Sequence, residues 1–379
     1  MASAISLFSG AGGMDLGVRQ AGFDILACVE RDPHCCETLR AAIIREERET
    51  LVIEADIREL DPKHLLAQVG LEPGELDLLF GGPPCQAFSQ IGKRHSIADE
   101  RGMLLFEMVR FAKVIRPRAI LIEQVKGLLN APDHEGRPGG VMEMLINDLE
   151  ALGYIPKWKT VNTADYGVPQ LRKRVFIVCS LDQNDFQFPA ATHAPPSDVA
   201  QLSLFPLAPY QTVGDVLEGL PPPPLKEEYQ AEDSHVDFTP AGDRRRIHGV
   251  PEGAHLASQL HLPDDQRCNL SKKDTTKFRR MSRNEPAITL RCGEIFFHPT
   301  EDRYLTIREY MRIHTYPNDY LLKGPMRGRS GQVKNLDQYR QVANSVPPRV
   351  ACILAKAIRE VIECQLSLNS LAIPFQTKA

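Results

Sequence analysis

The sequence predicts an α/β fold: a mostly parallel sheet with helices on both faces, followed by a smaller irregular region. Three observations point there. Over about the first 180 residues, short apolar runs alternate with helical patterns, as in strand–helix–strand crossovers. Three predicted strand ends carry an acid, and one carries a glycine-rich turn. Open sheets of this kind keep their sites outside the carboxyl ends of the strands. From about Phe186 the alternation decays.

Taken in order, residues 5–8 read as the first strand, followed by Ser9-Gly10-Ala11-Gly12-Gly13 and a helix over 14–20. Residues 24–29 form a second strand ending at Glu30; Asp32 caps the next helix, with Pro33 at its first position. Residues 51–55 form a third strand ending at Asp56, and 76–80 a fourth. A helix over about 100–116 stops at Pro117, and a fifth strand, 119–122, ends at Glu123. A helix over 141–152 precedes strands near 157–161 and 175–179. A short helix is expected at 213–217. Thr306 and Glu309 have capping-box spacing, so another helix starts there. A last apolar helix runs to about Glu363.

The turn containing Gly10, Gly12 and Gly13 lets backbone approach a ligand closely at a helix N-terminus. Glu30 stands where a carboxylate meets ribose hydroxyls in nucleotide-binding sheets, and Asp56 where it can face an adenine edge. The dinucleotide fingerprint G-x-G-x-x-G fails, because its third position is Asp15. That favours a nucleoside cofactor without a pyrophosphate over a nicotinamide dinucleotide. The bland alternative is a tight turn with two solvated acids.

The fourth strand runs into Gly81-Gly82-Pro83-Pro84-Cys85-Gln86. Each proline fixes φ and removes a donor, so the turn is stiff and presents Cys85 at the strand end. A free cysteine is more often a small buried hydrophobe; on this loop it is a candidate nucleophile.

Composition bounds the rest. The chain has 379 residues, 42% hydrophobic and 25% charged, which suggests two or three domains of a soluble protein. Its net charge is −4, so no global polyanion binder is announced. No apolar run reaches membrane-span length, and the start lacks a charged signal region, so a cytoplasmic location is expected. Nine cysteines without a Cys-x-x-Cys pair, and eleven scattered histidines, argue against a disulfide framework and a metal site. The span 241–283 holds ten Lys/Arg against five Asp/Glu, a local basic patch that suits a phosphate backbone or, more blandly, a solvated surface.

At this point the chain resembles the cytosine-5 DNA methyltransferases that use S-adenosylmethionine, motif by motif and in family order, outside the middle region. Phe8-Ser9-Gly10-Ala11-Gly12-Gly13 is similar to the family's cofactor loop. Glu30 and Asp56, with Arg31 and Ile57, resemble its ribose and adenine contacts. Pro84-Cys85-Gln86 resembles the catalytic loop, with Pro84 bordering the cofactor. Leu104 of Arg101-Gly102-Met103-Leu104 resembles a pocket-lining leucine. Gln170-Leu171-Arg172-Lys173-Arg174 is similar to Gln-x-Arg-x-Arg, and Asn344-Ser345-Val346 to the motif that closes the methionine end. One departure is Glu123-Gln124-Val125, where the family has Glu-Asn-Val; it touches the bracing of that loop.

The resemblance implies a Rossmann-like S-adenosylmethionine-dependent methyltransferase. Residues 1–186 would be the catalytic and cofactor-binding domain, 187–285 the target-recognition domain, and 286–379 a segment packing back on the catalytic domain. Cys85 would attack carbon 6 of a flipped-out cytosine, and Glu123 would engage N3. Arg174 would meet O2, and Arg172 would support the Cys85 loop. The segment 86–100 would be a lid. Double-stranded DNA is the implied partner. A restriction endonuclease acting on the same site would need no direct contact, and a single cleft needs no dimer. Other readings are a transfer-RNA cytosine methyltransferase and a non-catalytic DNA-binding relative.

Overall fold

The computed structural model describes residues 1–84, 104–181, 186–199, 207–226, 233–267, 278–327 and 335–371. In chain order its first part comprises β1 (Ala2–Leu7), α1 (Gly13–Gln20), β2 (Phe23–Glu30), α2 (Pro33–Arg45), β3 (Leu51–Glu54), α3 (Pro62–Gln68), β4 (Leu78–Gly81), α4 (Leu104–Ile115), β5 (Ala119–Val125), α5 (Gly140–Ala151), β6 (Ile155–Asn162), β7 (Gln170–Leu171) and β8 (Lys173–Ser180). The remainder carries β9 (His193–Ala194), α6 (Pro196–Val199), β10 (Ala208–Pro209), α7 (Val213–Leu217), α8 (Ala241–Ile247), β11 (Ala287–Ile288), α9 (Ile307–Ile313), α10 (Gln338–Asn344) and α11 (Pro348–Leu371).

A seven-stranded sheet in the order β3-β2-β1-β4-β5-β8-β6 forms the centre. The first five are parallel, and β8 runs antiparallel to both its neighbours. The chain reverses its direction of travel across the sheet between β1 and β4. That switch point opens a crevice at their carboxyl ends.

The apolar runs are continuous because both faces of the sheet are covered. Along β5, Ala119 and Leu121 enter one core with Val18, Phe80, Leu354 and Ile358, on the side of α1 and α11. Ile120 and Ile122 enter the other with Leu65, Met108, Phe111 and Leu145, on the side of α3, α4 and α5. A third core gathers Val213, Ile247, Met281, Phe296, Leu305, Tyr310 and Val342, joined by Ala11, Leu16 and Ala42.

Local signals behave as their chemistry dictates. Asp32 caps α2 by accepting from Cys35 N at 3.1 Å, with Pro33 in the first turn. Thr306 and Glu309 form the reciprocal capping box of α9. Several elements differ from expectation, α10 and the extension of α11 to Leu371 among them. β5 runs on through Glu123 and Gln124 to Val125, because β8 pairs with it that far, Val125 opposite Arg174. The span expected to be irregular contains α8, whose last turn holds Arg244, Arg245 and Arg246, where cations complement the helix dipole. α3 stands where no helix was expected, capped by Asp61 and started by Pro62. Among the described residues, no helix is long and apolar enough to cross a membrane.

Candidate active site

One cleft at the carboxyl edge collects residues from strand ends far apart in the chain. Its lining includes Phe8, Ser9, Gly10 and Gly13 after β1, Glu30 and Arg31 after β2, and Asp56 and Ile57 after β3. It continues through Gly82, Pro83 and Pro84 after β4, Leu104 of α4, Glu123 and Gln124 of β5, and Arg172 and Arg174 at β8. Asn344, Ser345 and Val346 close the far wall. Ala11 and Gly12 stand behind this lining. Ala11 is buried against the third core, and Tyr320 donates to its carbonyl at 2.8 Å. Cys85, the expected nucleophile, lies outside the described residues, as do the lid 86–100 and Arg101 to Met103.

The loop after β1 is tightly determined. Gly12 has φ +75°, and Phe8 holds φ +56°, a strained conformation for a bulky side chain. At Gly13 a Cβ would come within 2.5 Å of Val346 O and 2.9 Å of Ser345 Cβ. Only glycine lets the loop meet that wall.

Glu30 is positioned by backbone alone. Its Oε2 accepts from Gly10 N, and its Oε1 from both Arg31 N and Asp32 N, each at 2.8 Å. Desolvation raises its carboxyl above the ordinary 4.5, against the pull of these three donors. Asp56 moves the other way. Its carboxylate takes Arg58 Nε at 3.0 Å and Nη2 at 2.8 Å, with Arg31 Nη1 at 3.3 Å, and Arg58 holds it well below the usual carboxylate range.

At the other end of the cleft, Arg174 Nε lies 3.0 Å from Glu123 Oε1, an ion pair at the sheet edge. It is not an aligned hydrogen bond, and Glu123 Oε1 has no hydrogen-bond partner among the described residues. The departure at Gln124 resolves cleanly: its Nε2 donates to Pro83 O at 2.7 Å. The longer amide therefore braces the turn after β4.

Arg172, 2% exposed, reaches Ala343 O at 2.8 Å and Ser345 O at 3.2 Å, so among the described residues it holds the far wall. Sequence reasoning missed its companion, His314. This buried ring sits 2.9 Å from Ser345 O through Nε2 and 3.0 Å from Gln170 Nε2 through Nδ1. The carbonyl can only accept, so Nε2 carries the proton and Nδ1 accepts from the amide. Burial, then the charge of Arg172, keeps His314 well below 6.5 and neutral. Nothing in the local sequence around His314 announces this contact across the fold.

The basic span of the middle region is largely engaged within the protein. Arg244 pairs with Asp237 at 2.5 Å. Arg280 pairs with Asp302 at 2.6 Å and donates to three carbonyls, and Arg283 pairs with Glu252 at 3.2 Å. Arg245 is exposed, with no ion pair among the described residues. Lys272, Lys273 and Lys277 lie outside the described residues.

A type II methyltransferase from Psychrobacter, M.PspPI, is 35% identical over 94% of this chain and 78% of its own. M.NgoFVII from Neisseria gonorrhoeae is 31% identical over 93% and 85%. M.AquIA from Picosynechococcus is 41% identical over 58% and 88%. In fold, the chain is similar to a prophage-encoded DNA modification methyltransferase candidate from E. coli (TM-score 0.68, 21% identity, 96% and 100% covered). It is also similar to DNMT2 of Spodoptera frugiperda (TM-score 0.58, 19% identity, 95% and 100% covered). The family model for C-5 cytosine-specific DNA methylases matches residues 2–360, and the chain belongs to that family.

Proposed function

We propose that this cytosine-5 DNA methyltransferase takes S-adenosylmethionine in the cleft and methylates a cytosine flipped out of double-stranded DNA, through a covalent bond to Cys85. One observation carries the reading. The turn Gly82 to Pro84, Glu123 and Arg174 share a single cleft with Glu30, Asp56 and the wall Asn344 to Val346. This sharing supports a reading in which the turn leading to Cys85 and the nucleoside end serve one space.

The residues fit the cofactor. Glu30, held by three N–H donors, keeps lone pairs for ribose hydroxyls. Phe8, Ile57 and Leu104 offer apolar surface beside Asp56 for an adenine, and Pro84 borders the same space. When bound, S-adenosylmethionine supplies an electrophilic methyl on a sulfonium.

Carbon 5 of cytosine is a poor nucleophile until carbon 6 is attacked. The Cys85 thiolate would bond to carbon 6, pushing electron density to carbon 5 and splitting one hard step into easier ones. Glu123 would hydrogen-bond or protonate N3 and so draw that density, with Arg174 against O2. After carbon 5 has gained the methyl group, it loses its proton to a base. The Cys85–carbon 6 bond then breaks, and its electron pair returns to sulfur. The target must leave the stack, because chemistry inside a duplex is sterically closed.

The relatives are named type II methyltransferases, which supports a place in restriction–modification, with a nuclease that shares the site. We assign sequence reading to 187–285, catalysis to 1–186, and closure of the cleft to 286–379, acting as a monomer in the cytoplasm. Bisulfite sequencing of DNA from cells expressing the wild type beside Cys85→Ala tests the reading. Methylation at one short motif, absent in the variant, supports it. Unmethylated DNA in both sinks it, and methylation by the variant sinks the covalent route.

A further inference from the structure

The turn that carries Asp56 and Ile57 is held by a side chain that is not part of the cleft lining. After β3 the chain makes one short 3-10 turn, Ile57–Glu59. Asp56 caps its start, where Oδ1 accepts from Arg58 N at 3.1 Å. A turn this short bonds poorly within itself and leaves carbonyls open at its end. Arg110 of α4 takes them. Its Nη2 donates to Ile57 O at 2.7 Å and to Leu60 O at 3.1 Å, and its Nη1 to Leu60 O at 3.1 Å. Glu107, one helical turn back, aims the guanidinium by accepting from Nε at 2.7 Å. A planar fork spans both carbonyls, where a single ammonium would reach one. The helix behind it is firmly seated, with Leu105, Met108, Phe111, Ala112 and Ile115 buried. Its first residue, Leu104, lines the cleft together with Asp56 and Ile57. Arg110 therefore ties an exposed turn to a helix anchored in the core, and both contribute to the nucleoside end.

We infer that Arg110 is a positioning residue that sets the cofactor's base selectivity: through the Ile57 and Leu60 carbonyls it holds Asp56 at the exocyclic amino group of an adenine. This rests on the S-adenosylmethionine reading above. A carboxylate can only accept. Adenine presents a donor to it, whereas hypoxanthine presents a carbonyl oxygen that a fixed carboxylate repels. A turn released from the clamp can swing Asp56 away from that oxygen, and the repulsion is then avoided. Discrimination against the wrong base needs a fixed repulsive contact as well as a favourable one. Selectivity, and not affinity alone, thus depends on a guanidinium that never touches the base.

The test is calorimetric binding of S-adenosylhomocysteine and S-inosylhomocysteine to the full chain and to Arg110→Met, which keeps the aliphatic stem and removes every donor. The wild type should prefer the adenosine form by at least about 10-fold, the range of a hydrogen bond to a charged group. The variant should lose about 10-fold for the adenosine form and stay within about 2-fold for the inosine form. An equal loss for both, or an unchanged ratio, marks Arg110 as structural only and overturns the inference. In turnover the effect should fall on the KM for S-adenosylmethionine, with kcat at saturation within about 2-fold of the wild type. A loss in kcat with KM unchanged overturns it too. Should Arg110→Met not fold, Arg110→Lys carries the test. Its ammonium reaches one carbonyl, so the ratio should still fall by about 3-fold, and an unchanged ratio overturns the inference. A wild type that binds both forms equally removes the Asp56 contact, and the inference falls while the cofactor reading stands. A wild type that binds neither S-adenosylhomocysteine nor S-adenosylmethionine overturns the cofactor reading itself, and this inference with it.

Discussion

Glu30 and Glu309 are both acids held away from bulk water, and the protein treats them differently. Glu30 is held by three backbone N–H groups and lines the cleft. Glu309, 2% exposed, is clamped by Arg303 through both oxygens at 2.8 Å. Backbone donors orient a carboxylate without a full countercharge, so it can still receive a ligand's hydroxyls. The Arg303 guanidinium neutralises Glu309, and Thr306 N donates to its Oε2 as well, so this buried acid serves structure. The strand-end crevice holds Glu30 by the first device and Asp56 by the second, and the lobe around residues 233–322 relies on the second.

The sharpest way to break this contrast is Arg303→Met. It leaves Glu309 buried with its main countercharge gone, so unfolding in urea should show a loss of about 3–5 kcal/mol. Glu30→Gln turns one acceptor oxygen into an NH2 that faces a backbone N–H, so it should cost less, about 1–3 kcal/mol in urea, and weaken S-adenosylmethionine binding by about 1.5–3 kcal/mol, read by calorimetry. The pH dependence sharpens it further. The ionised Glu30 is the hydroxyl acceptor and its pKa is raised. Affinity should therefore fall as pH drops through a value above 4.5, and the Gln variant should lack that limb. A raised carboxyl pKa also means that protonating Glu30 favours the fold, so this affinity loss should come without a matching loss of stability from that group.

Gln124→Leu tests the bracing of the turn after β4. With Pro83 O left unpaired, the cost should be about 1–3 kcal/mol. It should appear in kcat more than in the KM for cofactor, because the turn leads to Cys85. The smallest effect is expected at Arg245, the exposed arginine of α8. Arg245→Ala should leave stability within about 0.5 kcal/mol and, if it meets a phosphate, lower the salt slope of DNA binding by about 1. An unchanged slope would mean that Arg245 faces solvent rather than DNA.

Legibility followed sequence distance. The glycine turn, Glu30, the Asp32-Pro33 cap and the Thr306–Glu309 box are set by neighbours a few residues away, and each could be read directly. The alternation of strands and helices gave the sheet. What could not be read was the destination of long side chains. Arg172 travels 171 residues along the chain to Ala343, and Gln170 travels 144 to His314. No spacing encodes such a meeting; it exists only after the sheet has formed. The same holds for the basic span 241–283, where composition counts charges but cannot tell an arginine facing DNA from Arg280, consumed by Asp302 and three carbonyls. The Gln124 departure belongs to this class as well, since its bond to Pro83 spans two strands.

The last helix lies on the first. α11 packs its apolar stripe against α1, and Arg359 donates to Ala21 O from 338 residues away. A ribosome adds about 5–20 residues each second, so roughly 20–70 s pass between the emergence of these two partners. Throughout that interval the outer face of α1 has no cover, and the cleft lacks the wall at 344–346. The nascent chain thus cannot complete its cleft until residues 344–346 have been made. Its maturation depends on whatever shields that stripe in the meantime.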